Sequence, residues 1–146
     1  MKSGKLKAAA LRMTPQRAAI LAFLGGNTAH PSADDIYLAV KERYPTMSFA
    51  TVYNTLQALK RVGGVRELRI DATRRRYDPN TRAHHHLICE VCGRIVDIHA
   101  DYDLAIPQDV ADAFDVADCR VEFFGTCHPC RDETSRSRGV LQRATA

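Results

Sequence analysis

The sequence lacks the long apolar segments that would place a chain in a membrane. No apolar run approaches the roughly 18 residues of a membrane-spanning helix, and the apolar stretch at residues 18–24 has no small-residue cleavage site after it. These absences predict a cytoplasmic protein, in a compartment where thiols stay reduced. Its five cysteines therefore indicate metal binding or redox chemistry rather than a disulfide framework.

The sequence also lacks a large excess of charge of one sign. The formal net charge is +4 over 146 residues, which is too small to predict a globally cationic protein. The basic residues are instead clustered at residues 2–17, 74–76 and 131–143. Local basic patches are typical of proteins that bind polyanions, and the alternative is ordinary solvated surface charge. No internal repeat is present.

Capping residues and apolar spacing predict three short helices in the first half of the chain. The expected N-caps are Thr14, Ser32 and Ser48. Each is followed by apolar residues at spacings of three and four. The glycine pairs at 25–26 and 63–64 end the first and third helices, and Pro45 follows the second. Three short helices joined by tight turns are typical of a helix-turn-helix domain.

The polar face of the third helix carries side chains of the kinds that read base edges in DNA. It offers amide, hydroxyl and cationic groups, and it has no carboxylate that phosphate would repel. These side chains belong to Thr51, Tyr53, Asn54, Gln57, Lys60 and Arg61. The face is predicted to enter the major groove, and the alternative is an ordinary solvated helix face.

The rest of the chain is rich in short β-prone segments. Residues 65–70 and 75–77 alternate around a turn at 71–73, and such a basic hairpin resembles the wing of a winged helix. In the second half, the pattern predicts strands at 84–89, 95–98 and 119–125 and a helix at 104–114. A unit this small is expected to complete its core by pairing with a second copy.

The predicted fold class is α+β, with an N-terminal winged helix-turn-helix domain and a small α/β dimerisation domain. The expected segments are a DNA-binding domain at 1–78, a hinge at 79–83, a dimerisation and metal-binding domain at 84–131 and a polar tail at 132–146. The tail is expected to be loose because it is polar.

Two cysteine pairs form the strongest metal-binding signal. Cys89 and Cys92 form one CxxC pair, and Cys127 and Cys130 form another. Two such pairs supply the four soft ligands that structural zinc prefers, and metal binding would contribute to folding. A redox-active CxxC is the main alternative, but no thioredoxin-like βαβ pattern surrounds either pair. Cys119 is expected to be a small apolar core residue of a strand.

A second group of possible metal ligands is built from histidine and aspartate. In a strand, the period of two places His84 and His86 on one face. Asp78 lies at the edge of the hinge, Asp97 on the next strand and His30 on a loop. Three imidazoles and two carboxylates would suit Fe(II) or Mn(II) better than a thiolate cage does. The alternatives are surface histidines and, for His30, a loop or capping role.

Five motifs, all in family order, make the chain similar to the ferric uptake regulator (Fur) family. They are RMTPQR (residues 12–17), AHPSADDIY (29–37), ATVYNTL (50–56), HHHLICEVCG (84–93) and CHPC (127–130). The likeness covers residues 6–131. It implies a homodimeric repressor in which a metal between the two domains holds the winged helices for an inverted-repeat operator. No motif indicates a membrane or an organic ligand.

The resemblance also implies which residues contact DNA. Arg12 is the candidate for the minor groove, and Tyr53 and Asn54 are candidates for the major groove. The full set of expected DNA contacts is Arg12, Arg17, Ser48, Thr51, Tyr53, Asn54, Gln57 and Arg61.

Within the family, the chain most resembles the peroxide-sensing branch. The regulatory ligands of that branch match His30, Asp78, His84, His86 and Asp97. The resemblance implies that Fe(II) and peroxide oxidise His30 or His84 and so relieve repression, whereas Mn(II) supports DNA binding without that chemistry. Such a protein modifies itself and is not an enzyme.

Some alternatives and one departure from the family pattern remain. Sensing of iron level or zinc level is the nearest alternative, and a thiol redox switch belongs to another class. A zinc deaminase is not indicated, because no histidine is followed two residues later by glutamate.

Many relatives carry histidine where Cys119 stands and use it in a further metal site. Here His85, Cys119 and Asp101 or Asp103 would have to form a changed version of it.

Overall fold

The chain divides into a unit of residues 1–82 and a unit of residues 83–146. A computed structural model describes residues 12–70 and 73–133. The boundary between the units falls within the hinge that the sequence predicts at 79–83. Within the described residues, no helix is long and apolar enough to cross a membrane. Helices dominate the first unit and strands the second, which confirms the α+β fold class.

Three helices begin where the sequence places their N-caps. They are α1 (Pro15–Leu24), α2 (Ala33–Lys41) and α3 (Phe49–Arg61). The Thr14, Ser32 and Ser48 side chains each accept a hydrogen bond from a backbone N–H of the first turn. At Ser32 the bond is reciprocal, because Asp35 accepts from the Ser32 N–H at 2.8 Å. Each cap provides an acceptor for a backbone N–H that has no partner within the helix, and it stabilises the helix by about 1 kcal/mol.

One apolar core joins the three helices to the hairpin that follows them. Its buried members are Ile20, Leu24, Ile36, Val40, Met47, Val52, Leu56, Leu59, Val65 and Tyr77. The helical members recur at spacings of three and four, so each helix turns one stripe inward. Burial of one such aliphatic side chain contributes about 1.5–3 kcal/mol.

The predicted wing is a two-stranded antiparallel hairpin, β1 (Arg66–Arg69) and β2 (Arg75–Asp78). Residues 71 and 72 of its predicted turn lie outside the described residues. Tyr77 is 2% exposed, and its backbone N–H donates to the Pro31 carbonyl at 2.9 Å. This bond attaches β2 to the loop that leads into α2.

The second unit contains a three-stranded sheet. Its strands are β3 (His85–Cys89), β4 (Ile95–Ile98) and β5 (Glu122–Gly125). The order is β4-β3-β5, with β4 antiparallel and β5 parallel to the central strand. A parallel pair needs a long crossover connection, and the connection from β3 to β5 consists of residues 90–121, which include β4.

Two predictions for this connection were wrong in extent. The helix expected at 104–114 is the single turn α4 (Gln108–Ala111), because it has no side-chain cap and buries no residue. The strand expected from residue 119 begins at Glu122. Cys119 is therefore exposed and outside the sheet rather than a core residue.

The end of the described chain also differs from the prediction. Residues 128–133 are helical, so the helix continues into the first two residues of the tail predicted at 132–146. The remainder of that tail lies outside the described residues.

Candidate metal centres and nucleic-acid interface

Two tight turns place the four predicted zinc ligands. β3 ends at Cys89, whose carbonyl accepts from the Gly93 N–H at 2.8 Å. Gly93 has a φ of 73°, a conformation that glycine adopts without strain, and the turn it closes carries Cys92. The second pair lies just after β5, where the Arg131 N–H donates to the Cys127 carbonyl and closes a helical turn over Cys130.

The four cysteine sulfurs are close enough to share one ion. The Sγ atoms of Cys89, Cys92, Cys127 and Cys130 all lie within 4.8 Å of one another. The Cys92 and Cys127 sulfurs are 3.8 Å apart. A tetrahedron with Zn–S bonds of about 2.3 Å has edges of about 3.8 Å. The geometry therefore fits a closed, four-thiolate zinc site.

Hydrogen bonds make the Cys89 and Cys130 thiols unequal as acids. The Cys127 N–H donates to Cys89 Sγ at 3.3 Å, and this bond, together with the Cys92 N–H, lowers the pKa of Cys89 to about 6. The pKa of Cys130 is raised to about 12, first because its thiol hydrogen-bonds the Cys127 side chain and second because it is buried. A bound Zn²⁺ requires thiolates, so metal binding must release protons.

A second cluster lies at the pairing of β3 with β4. His86 faces Asp97 across the antiparallel ladder. The Asp97 Oδ1 is 3.4 Å from His84 Nε2 and 3.6 Å from His86 Nε2. Ligands held at about 2.1 Å by one ion are roughly 3.0–3.5 Å apart. The two imidazoles are almost fully buried, at 3% and 1% exposure, so these three side chains form a ready-made partial ligand set.

His30 and Asp78 belong to the first unit. Both are 1% exposed. His30 directly precedes Pro31 and Asp78 directly follows Tyr77, and the Tyr77 N–H donates to the Pro31 carbonyl, so this bond holds the two segments together. His30 has a φ of 51° and is the single non-glycine residue with positive φ among those described. Such strained backbone is concentrated at functional sites.

The predicted DNA-binding face of α3 is exposed at its centre. Tyr53, Asn54 and Arg61 point to solvent, and Gln57 is half-buried. Ser48 and Thr51 are engaged with each other at the helix start, with their hydroxyl oxygens 3.0 Å apart.

The two arginines of the predicted set that precede α3 also contact each other. The Arg17 guanidinium donates to the Arg12 carbonyl at 2.7 Å, so the start of α1 holds the segment that carries Arg12.

Comparison with known proteins agrees with this architecture. The sequence model of the Ferric uptake regulator family matches residues 8–124. The chain belongs to this family. A Fur-family relative from Staphylococcus epidermidis, the Peroxide-responsive repressor PerR, is 44% identical over 131 residues, which cover 88% of this chain and 87% of that protein.

Solved Fur-family structures share the fold. The crystal structure of the Campylobacter jejuni peroxide stress regulator has a TM-score of 0.63 and 29% identity, covering 86% of this chain and 96% of that one. The Francisella tularensis ferric uptake regulator with iron has a TM-score of 0.68 and 23% identity, covering 90% and 98%. The family and the fold class expected from the sequence are confirmed.

The further Fur-family site, which Cys119 put in doubt, is not assembled around His85 and Cys119. His85 Nδ1 accepts from the Val121 N–H at 2.9 Å, and the Tyr102 ring packs against the imidazole at 4.8 Å. In the described part of the chain, the clusters of ligand atoms close enough for one ion include neither His85 nor Cys119. The contact of Tyr102 belongs to no motif and was not predicted. Nor was that of His99, whose ring lies 5.6 Å from that of His84.

Proposed function

We propose that this Fur-family protein is a metal-dependent transcriptional repressor that responds to peroxide. The observation that carries the proposal is the group formed by the buried His84 and His86 imidazoles and the partly buried Asp97, whose ligand atoms lie within 4.8 Å of one another. Imidazole and carboxylate groups are ligands for Fe(II) or Mn(II). The 44% identity to a peroxide-responsive repressor supports the same function, whereas the Francisella tularensis regulator with iron is 23% identical and shows the fold alone.

The proposed regulatory ligands come from both units. His30 and Asp78 belong to the first, and His84, His86 and Asp97 to the second. An ion held by ligands from both units stabilises one arrangement of those units. If DNA selects the same arrangement, metal affinity and operator affinity are coupled reciprocally.

The proposed response to peroxide rests on the similarity of this ligand set to that of the peroxide-sensing branch of the family. Fe(II), when bound, supplies the redox chemistry that activates peroxide, and Mn(II) does not. The change at the imidazole of His30 or His84 is replacement of a ring C–H by C–OH, with one water released for each peroxide consumed. The oxidised ring is a weaker ligand, so the two units are released and repression is lifted. Each chain reacts once, and the protein is therefore a sensor rather than an enzyme.

The cysteine cluster has a structural role in this proposal. Zn²⁺ held by Cys89, Cys92, Cys127 and Cys130 joins the end of β3 to the segment after β5. Four thiolates would fill all the positions of a tetrahedral zinc ion, which would leave none open for a substrate, unlike at a catalytic zinc site.

A homodimer completes the second unit. That unit exposes large apolar side chains at Leu104, Ile106, Val110, Phe114, Val116, Phe123 and Phe124. In a monomer these apolar side chains would remain in contact with water, whereas packing against a second copy would bury them. A twofold dimer presents two winged helices to an inverted-repeat operator. In this assignment DNA is contacted by Arg12, Arg17, Ser48, Thr51, Tyr53, Asn54, Gln57 and Arg61.

The deciding experiment is peptide mass spectrometry of zinc-loaded protein after a slight excess of peroxide. With Fe(II), we expect one added oxygen on His30 or His84 and unmodified cysteines. With Mn(II), we expect no modification. His84→Ala is expected to lose metal-dependent DNA binding while it retains zinc.

The same spectra separate the competing functions. Unmodified histidines with iron still bound would indicate a sensor of iron level. Oxidised cysteines with zinc released would indicate a thiol switch. Either result would overturn the proposed response to peroxide.

A further inference from the structure

Glu67 is a buried carboxylate that contacts three basic side chains beside the recognition helix. Its side chain is 3% exposed. Lys60 Nζ, on the last turn of α3, lies 2.9 Å from Glu67 Oε2, and Arg69 Nε lies 3.1 Å from Glu67 Oε1. Arg75 Nη1, on β2, lies 3.9 Å from the same Oε1. Glu67 therefore links the recognition helix to both strands of the wing.

The arrangement concentrates positive charge at the surface. Arg69 and Arg75 are directly opposite each other in the β1–β2 ladder. Like charges in that position destabilise a hairpin. Glu67 offsets this repulsion because its Oε1 lies near both arginines. The Lys60, Arg69 and Arg75 side chains are 43%, 65% and 42% exposed, so each cation remains available to an outside anion.

Glu67 itself is ionised at neutral pH. Burial would raise its pKa, but hydrogen bonds from Lys60 and Arg69 outweigh burial and lower the pKa below the ordinary value. The carboxylate is therefore a permanent anchor for the three cations rather than a group that titrates during function.

We propose that Lys60, Arg69 and Arg75 form a phosphate-binding surface, the wing triad, and that Glu67 is the positioning residue that orients it. The inference rests on the proposed function, because it adds backbone contacts to a DNA-binding protein. Cations that approach phosphates position a protein on the duplex without reading its sequence. The wing triad would thus set the register in which Tyr53 and Asn54 reach the bases.

Glu67→Gln gives a test, because an orienting role and a purely electrostatic role of Glu67 predict opposite changes in DNA affinity. The substitution removes a negative charge from the DNA-facing side. If Glu67 acted only through its charge, DNA affinity would rise. If it orients the wing triad, affinity falls several-fold and the salt dependence weakens, by about 0.9 in the slope of log affinity against log salt for each phosphate that the protein no longer neutralises.

The measurement is fluorescence anisotropy with Mn(II)-loaded full-length protein. One labelled duplex is selected from random sequences by the wild-type protein, and the other is an unrelated duplex of the same length. Lys60→Met, Arg69→Met and Arg75→Met are expected to weaken binding to both duplexes alike. The effects of Lys60→Met and Glu67→Gln on the free energy of DNA binding should not be additive, because Glu67 acts partly by orienting Lys60.

Glu42→Gln is the matched control, since it removes the same charge from an exposed position at the end of α2. It should bind neither duplex more weakly than the wild type does. Thermal melting shows whether each variant remains folded, and Glu67→Asp supplies a second variant that keeps the charge. Unchanged or stronger binding by folded Glu67→Gln, or unchanged salt slopes in the three methionine variants, would overturn the inference.

Failure of the proposed function has a different signature. A selection that enriches no sequence would count against a specific repressor. Binding to the unrelated duplex would still test the wing triad.

Discussion

Tyr77 and Pro31 are joined by a backbone hydrogen bond of 2.9 Å between the Tyr77 N–H and the Pro31 carbonyl. The neighbours of these residues are Asp78 and His30, both almost completely buried. A buried backbone bond is costly to break. It therefore holds two proposed regulatory ligands of the first unit in place before any metal binds. Less conformational entropy is then lost when the metal binds.

The positive φ of His30 leads to a test that separates its ligand role from its backbone role. Asparagine tolerates the left-handed region better than alanine does. We expect His30→Asn to abolish the Mn(II)-dependent gain in DNA affinity and to melt within a few degrees of the metal-free wild type. His30→Ala should lose the same response and about 1 kcal/mol of stability as well. Retained Mn(II) response in folded His30→Asn would contradict the ligand assignment.

Removal of one zinc ligand should destabilise the second unit. Cys92 is exposed, so Cys92→Ser costs little packing and acts mainly through the metal. We expect loss of most bound zinc, measured by inductively coupled plasma mass spectrometry, and a lower melting temperature. Cys119→Ser is the control, because that thiol lies outside the cluster. Equal zinc content in the two variants would refute the four-thiolate site.

Zinc binding should release protons in a way that reflects the unequal thiols. At pH 8 the Cys89 thiol, with its pKa of about 6, is already ionised, whereas the Cys130 thiol, with its pKa of about 12, must lose its proton to the metal. Zinc affinity is therefore expected to fall as pH decreases, most steeply below about pH 6, where Cys89 is also protonated. Calorimetry in two buffers of different ionisation enthalpy measures the released protons.

His85 should be a structural residue of the sheet rather than a metal ligand. Its Nδ1 accepts from Val121 just before β5, and loss of that acceptor leaves a partly buried N–H without its protein partner. We expect His85→Ala to lower the free energy of unfolding by about 1–3 kcal/mol. The number of metal ions per chain should remain that of the wild type. A loss of one metal ion per chain would show that His85 is a ligand of a further metal site.

Acid stability provides a test of Glu67, the buried carboxylate of β1. The pKa of Glu67 lies below its ordinary value of 4.5. Its contribution is therefore fully present above that value and is lost as pH falls through the lower, folded-state pKa. Urea unfolding of the metal-free protein between pH 6 and pH 3 should show a shallower decline in Glu67→Gln than in Glu42→Gln. Parallel declines would show that the ion pairs of Glu67 do not stabilise the fold.

Local features of the sequence determined much of this protein. The three N-caps, the spacing of apolar residues in α1 to α3 and the two CxxC pairs depend on neighbours a few residues apart. Such short-range patterns survive in any tertiary context that buries one face of each helix. For that reason the helix-turn-helix and the four-thiolate cluster could be predicted before any fold was known.

Tertiary structure decided what depends on distant partners. The parallel pairing of β3 with β5 uses the His85 nitrogen for Val121, and it leaves Cys119 outside the sheet. Glu67 looks like an ordinary surface residue in sequence, and only the packing of the wing against α3 brings Lys60 to it. The sequence around Glu67 and around His85 does not indicate these partners, because they meet only when whole elements pack against one another.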